Sequence, residues 1–472
     1  MADELRTERD SLGELAVAAH AYYGVHTARA MANFRVTGSV MGSYPALIRA
    51  LATVKQAACQ ANRDLGLLDD ERANAIVTAC TEIRAGRLLD QFPIDLIQGG
   101  AGTSSNMNAN EVIANRALEI LGFDRGDYSR LGPIAHVNLG QSTNDVYPTA
   151  IKLCLIAYLR ELIDALRGLG ASFDRKSVEF ADVIKMGRTQ LQDAVPMTLG
   201  REFGTYSTMV REGCERLGEG IRLLLSCNIG GTAIGTGING HPDYAGLACR
   251  YLAEISGEPM SLAADPIAAT QDCGDFVQVS GIVKRVAVVL SKICNDLRLL
   301  SSGPTVGLHE INLPAVQAGS SIMPSKVNPV VPELVNQVAF EVIGNDTTVT
   351  LAAEAGQLQL NAFEPIIVYS LLRSITHLTA AVGTLATDCV DGITANRAHL
   401  EDGVRHSVGV VTALVPRIGY PASARIAAQA LATGRSVAEI AVAERVLDCE
   451  QAEELLSPRR LAGLPPIAET SS

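Results

Sequence analysis

Apolar side chains recur at steps of three and four across 275–302, where Phe276, Val279, Val283, Val286, Leu290, Ile293, Leu297 and Leu300 form an unbroken seam. That spacing predicts one face of a long α-helix packed against a partner. Val277, Ile282, Val288, Val289 and Leu299 lie off the seam and are apolar too, so this helix must be covered on more than one side. The segment 149–169 repeats the pattern through Ile151, Leu155, Tyr158, Leu162, Ala165 and Leu169. A third run extends from Pro329 to about Leu360 and opens on Asn328-Pro329, a pair suited to an N-cap and a first turn. A helix of about 30 residues spans roughly 45 Å, and such helices side by side make an elongated bundle with loops only at its ends. Before this region shorter helical runs alternate with Gly-rich loops, and beyond it the runs shorten again. The predicted organisation is a mixed helical domain at 1–142, a long-helix bundle at 143–397 and a small helical domain at 398–472. The closing LPPIAETSS reads as frayed.

Composition narrows the class. Of 472 residues, 47% are hydrophobic, 19% charged and 4% aromatic, with no Trp. That is too apolar for a disordered chain and too poor in aromatics for a β-sandwich or propeller. The charge sum is 39 basic minus 51 acidic residues, or −12, which leaves no electrostatic footprint for nucleic acid. The N-terminal MADELRTERD lacks the apolar core of a signal peptide. The best membrane candidate, 276–290, is interrupted by Gln278, Lys284 and Arg285, so the expectation is a soluble cytoplasmic protein with no membrane partner. Ten Cys occur without a C-x-x-C pair or a zinc-like His spacing. They read as buried small apolar side chains in a reducing compartment, and no metal site is expected. GTGING at 235–240 matches a dinucleotide pattern, but His241-Pro242 follows where a helix should open, so a tight turn is the better reading.

Four segments are dense in small hydroxyl and amide residues: GGAGTSSNMN at 99–108, GQSTND at 140–145, GRTQLQDAVP at 187–196 and GSSIMPSKVNP at 319–329. Three run directly into a predicted helix. Any one alone reads as a helix cap. Together they offer free backbone N–H groups and partial positive charge at helix starts, with Thr103, Ser142, Thr143, Asn144, Ser321 and Asn328 as side-chain donors and Lys326 as a full cation. A small polyanion such as a dicarboxylate suits this set.

GSSIMPSKVNP is similar to the GSSxMPxKxN signature of the aspartase/fumarase superfamily, and the other three loops resemble that superfamily's remaining regions in the same order. The similarity runs from AYYGVHTARAMANF to VRHSVGVVTAL, nearly the whole chain. The resemblance implies an all-α, three-domain fold with a central bundle of five long helices. It also implies a homotetramer with a twenty-helix core and active sites shared between three subunits. Text such as KMGRTQLQDAVPMTLG and IGNDTTVTLAAEAGQLQLN is most similar to the aspartase branch. That implies a carbon–nitrogen lyase converting L-aspartate reversibly to fumarate and ammonia by anti-elimination.

The same resemblance carries roles onto these positions. Ser320 is the implied base that takes the Cβ proton, through an enediolate-like intermediate. Thr103, Ser142, Thr143 and Ser321 are implied donors to the β-carboxylate. Lys326 and Asn328, with Thr189, hold the α-carboxylate, while Asn144 and Gln190 lie near the amino group. Met323 lines the loop. Glu333 matches an acid that pairs with a His in fumarases, which carry that His where this chain has Gln190; an amide cannot relay protons, and this favours an amine leaving group. No cofactor is implied for the chemistry, and activation by a divalent cation such as Mg is undecided by sequence. His136 reads as structural, and His309 is given no role. The alternatives are a fumarate hydratase, a lyase for another substituted aspartate, or a non-catalytic helical scaffold. The scaffold is disfavoured by the intact Ser320, Lys326 and Asn328. Independently of any relative, loops near 144 and 189 stand at opposite ends of a long helix, so a shared site requires several subunits.

Overall fold

The computed structural model describes residues 4–465; most of the C-terminal stretch read as frayed lies outside them. The described chain is helical, with seventeen α-helices and four two-stranded sheets. Five helices are long: Thr143–Glu179, Leu199–Leu223, Gly274–Leu300, Val330–Glu354 and Glu364–Asp388. Three match the runs read from the sequence. Every seam residue of Gly274–Leu300 is buried, while the off-seam Val288 and Leu299 remain 49% and 40% exposed in the single chain. The third run ends at Glu354 rather than near Leu360. Asn361 Nδ2 donates to the carbonyls of Ala352 at 3.0 Å and Ala353 at 3.1 Å, closing the helix end, and Leu358 turns the chain through a left-handed backbone (φ 56°).

Packing divides the chain into two compact units. One comprises 1–163, 215–287 and 340–378, the other 164–214, 288–339 and 379–472. In the first unit an antiparallel hairpin, Leu5–Asp10 with Gly13–Ala18, precedes the helix Val25–Asn33. The helix Pro45–Asp64 follows and is buried along most of its length against Asp70–Arg84 and Tyr244–Ser256. It can sink so deep because Ala fills much of its surface, letting neighbours approach closely. Asp69 caps Asp70–Arg84 by accepting from Arg72 N, with Asp70 and Glu71 in the first turn and Arg84 in the last, as the helix dipole favours. Between long helices of this unit, Lys152 pairs with Asp275 at 2.7 Å and Ser280 donates to Asp346 at 2.8 Å.

In the second unit Phe173, Phe180, Phe203 and Tyr206 form an edge-to-face cluster between Thr143–Glu179 and Leu199–Leu223, with centroids 5.3–6.1 Å apart. A separate small core gathers Val404, Leu414, Ile426, Val437, Ile440 and Leu447 under short C-terminal helices. Capping boxes at Ser436/Glu439 and Asp448/Gln451 fix the starts of two of these.

Among the described residues one segment, Glu364–Gly392, is long and apolar enough to cross a membrane by composition, and 56% of its apolar window is buried within the fold. It was not the stretch, 276–290, that the sequence singled out. Eight of the ten Cys are buried, Cys214 is intermediate and Cys449 is exposed, and none is disulfide-bonded. GTGING is a turn, with Gly235 at φ 93° packed so tightly that a Cβ would lie 2.5 Å from the backbone of Ile267.

Phe203→Ala removes the ring shared by three aromatic contacts and should cost about 3–5 kcal/mol. A guanidinium unfolding curve should show the midpoint move down, and an unchanged midpoint would remove the cluster from the stabilising core.

Candidate active site

In the first unit two loops converge on the start of a long helix. The GGAG loop takes left-handed backbone at Gly100, Ala101 and Gly102 before Thr103 opens the helix Thr103–Ile120. Gly102 has no room for a side chain, since a Cβ would lie 2.3 Å from the Tyr147 ring. Thr103 stands exposed, its hydroxyl donating to Gly100 O at 2.7 Å. The second loop brings Ser142 and Thr143 to the start of Thr143–Glu179. Ser142 Oγ accepts from Asn144 N at 3.2 Å, and Asn144 Nδ2 donates to Ala233 O at 2.7 Å.

The second loop is held from below by side chains that the sequence did not mark. Asp145 is fully buried and accepts from the backbone N–H of Ser142 (3.0 Å), Gly230 (3.1 Å) and Thr232 (3.0 Å). Burial pushes its carboxyl up to about 7, against the pull of those N–H groups and Lys55. Lys55, also fully buried, donates to Asn138 Oδ1 and Gln141 Oε1, each at 2.8 Å. Asn106 Nδ2 joins Asn138 Oδ1 to Thr143 Oγ1, both at 3.2 Å. The one available signal was a lysine inside the Ala-rich run LATVKQAACQA.

In the second unit, the segment from 313 to 329 leads into Val330–Glu354 without regular structure. Its ends are clipped together by Gly319 N to Lys326 O (2.8 Å) and Asn328 Nδ2 to Gly319 O (2.6 Å). Inside the clip, Ser320 Oγ accepts from the backbone N–H of Ile322 at 3.2 Å and Met323 at 3.0 Å. Two N–H dipoles aimed at one hydroxyl oxygen stabilise negative charge there. Ser321, Met323 and Lys326 are exposed. Lys326 and Asn328 line a cavity of about 530 Å³ that also takes in Arg298, Ser302, His309 and Asn312. The sequence had left His309 without a role, and Arg298 and Asn312 carried no mark.

Thr189 and Gln190 lie at the tip of the antiparallel hairpin Ile184–Thr189 with Gln192–Thr198. Thr189 pairs with Gln192, so Gln190 and Leu191 form a two-residue turn, with φ of 53° and 65°. Such a turn is ordinarily Asn-Gly or Gly-rich, and side chains there carry strain. The strain is held by the hairpin's base. Buried Lys185 pairs with Glu310 at 2.8 Å and Glu202 at 2.6 Å, and Arg188 also pairs with Glu310. Gln190 is exposed and Glu333 half-buried, and among the described residues no hydrogen bond joins their side chains. His136 Nδ1 accepts from Gly132 N at 2.9 Å within a π-helical turn, a local structural bond. The residues expected to act together therefore divide. Thr103, Ser142, Thr143 and Asn144 belong to the first unit; Thr189, Gln190, Ser320, Ser321, Met323, Lys326, Asn328 and Glu333 belong to the second.

Gly319→Ala would set a Cβ 2.2 Å from Lys326 O. It should open the clip without touching the core, so limited proteolysis within 319–328 should accelerate while the thermal midpoint stays within the small range of surface substitutions. Unchanged cleavage would mean that the clip does not order the loop.

A lyase family matches residues 13–344, and the fumarase C C-terminus family matches 410–463. The chain is 53% identical to an aspartate ammonia-lyase of Helicobacter pylori, covering 97% of this chain and 98% of that one. It is 56% identical to an aspartate ammonia-lyase of Pseudomonas aeruginosa, with 97% and 96% covered. Among solved structures, a fumarate lyase:delta crystallin of Brucella melitensis superposes with TM-score 0.95 at 54% identity, over 97% of this chain and 100% of that one. A class II fumarase of Schistosoma mansoni superposes with TM-score 0.91 at 35% identity, over 97% and 99%. The chain belongs to the aspartase/fumarase superfamily of lyases.

Proposed function

We propose that the chain deaminates L-aspartate reversibly to fumarate and ammonia, the activity for which its 51–56% identical relatives are named. The observation that carries the mechanism is the pair of N–H groups on Ser320 Oγ. A serine hydroxyl is a poor base until its alkoxide is stabilised. Ser320 takes the proton from Cβ, and the electron pair spreads onto the β-carboxylate as an enediolate with two negative oxygens. Return of that pair forms the double bond and expels ammonia from Cα on the opposite face. Thr103, Ser142, Thr143 and Ser321 donate to the β-carboxylate as its charge grows, where donors fixed in advance lower the barrier most. Lys326, Asn328 and Thr189 hold the α-carboxylate, with Met323 lining the loop. Asn144 and Gln190 orient the amine, and Glu333 lies behind Gln190. The chemistry draws on no cofactor.

The proposed functional particle is a homotetramer with each site drawn from three subunits, in the cytoplasm. Thr143–Glu179 has 37 residues, a rise of about 55 Å. Asn144 at its start and Thr189 beyond its end therefore need different copies to share one small substrate. The faces for that assembly are apolar and uncovered in the single chain: Phe340 is 62% and Leu351 63% exposed on Val330–Glu354.

The purified protein should raise fumarate's ultraviolet absorbance from L-aspartate, whereas turnover of L-malate alone would replace this reading by a hydratase. Ser320→Ala should lose at least about a thousandfold in kcat and elute from size exclusion like the wild type. Phe340→Glu with Leu351→Glu should elute as a smaller species and lose turnover; an active monomer would sink the shared-site arrangement.

A further inference from the structure

The first unit contains a buried cation that the mechanism above does not use. Lys55 has no exposed surface, and its ammonium meets amide oxygens only, on Asn138 and Gln141. Among the described residues it forms no ion pair. An ammonium in that setting is expensive, and burial pulls it down to about 7, with Asp145 and Cys80 acting the other way. The two amides lead to the second loop. Gln141 is bonded to Ser142 in the chain, and Asn138 Oδ1 reaches Thr143 Oγ1 through Asn106 Nδ2. Asn138 Oδ1 accepts from three donors, Lys55 Nζ, Asn106 Nδ2 and Asn110 Nδ2. The oxygen is therefore saturated. The acidic group whose charge acts on Lys55, Asp145, spends its oxygens on the backbone N–H groups of Ser142, Gly230 and Thr232.

Resting on the dicarboxylate reading, we infer that Lys55 is a positioning residue whose positive charge, held beneath the Ser142–Thr143 loop and conveyed through Asn138, Gln141 and Asn106, is matched to the second negative charge that develops on the substrate's β-carboxylate. A merely structural lysine would hold the loop equally well for every ligand. A charge matched to the enediolate acts mainly when the second negative charge is present. In a chain of net charge −12, it also adds a positive charge beside that loop.

The test uses the assembled full-length protein and two variants. Lys55→Met keeps the stem and removes the charge. Asn138→Asp keeps the charge but pairs it with a carboxylate, in a position already facing three donors. The probes are succinate and 3-nitropropionate, whose nitronate form bears two negative oxygens like the enediolate. Both variants should lose roughly a hundredfold in kcat and in nitronate affinity. KM for aspartate and succinate affinity should move less than about tenfold. Equal losses for both ligands, or none, would overturn the inference while leaving the aspartate reading intact. If Lys55→Met fails to fold, Asn138→Asp decides by the same criterion. A wild type that turns over no aspartate and binds neither probe overturns the aspartate reading, and this inference with it.

Discussion

An α-helix cannot shorten, and the proposed chemistry is organised around that constraint. At 37 residues, Thr143–Glu179 holds its two ends about 55 Å apart. The loop that opens it carries Ser142, Thr143 and Asn144, and the hairpin after it carries Thr189 and Gln190. In the proposed homotetramer a small dicarboxylate meets the two from different copies, and the rigidity of the helix lets those copies lay their ends together in a fixed register, since packed helices transmit position with little give. The uncovered apolar residues on Val330–Glu354 are what such packing would consume.

Two of the loops are fixed before a ligand arrives. Asp145 ties the backbone N–H groups of Ser142, Gly230 and Thr232 together under the second loop, and within the Gly319–Lys326 clip two N–H groups point at Ser320. The hairpin tip at Gln190 and Leu191 is strained, and its base is tied by the Lys185 and Arg188 contacts to Glu310. Donors fixed in this way need no reorganisation as the substrate's charge changes, which is where an enzyme gains most over water.

Long-range order was legible wherever it follows from local periodicity. The seam from Phe276 to Leu300 could be read because steps of three and four place those residues on one face of a helix. The four loops could be read because small hydroxyl and amide residues cluster there, and the order of the loops suggested the family. Leu199–Leu223 carries the same kind of signal, since Leu199, Phe203, Tyr206, Val210 and Leu217 fall at helical steps on one buried face. The third run was read too long because no periodicity announces that Asn361 reaches back to close the helix. Lys55, Asn138 and Asn106 were invisible as a group because they meet only in the fold, across separations of 32 to 83 positions. Burial is what gives such residues their weight, and a sequence does not display burial of a polar group.

If the proposed homotetramer covers the exposed Phe340 and Leu351, it also ties chemistry to mass action, since a state completed by another copy depends on protein concentration. In the proposed homotetramer, dilution would act as an inhibitor: specific activity and thermal resistance would decline together as the copies separate, with every residue of the site intact.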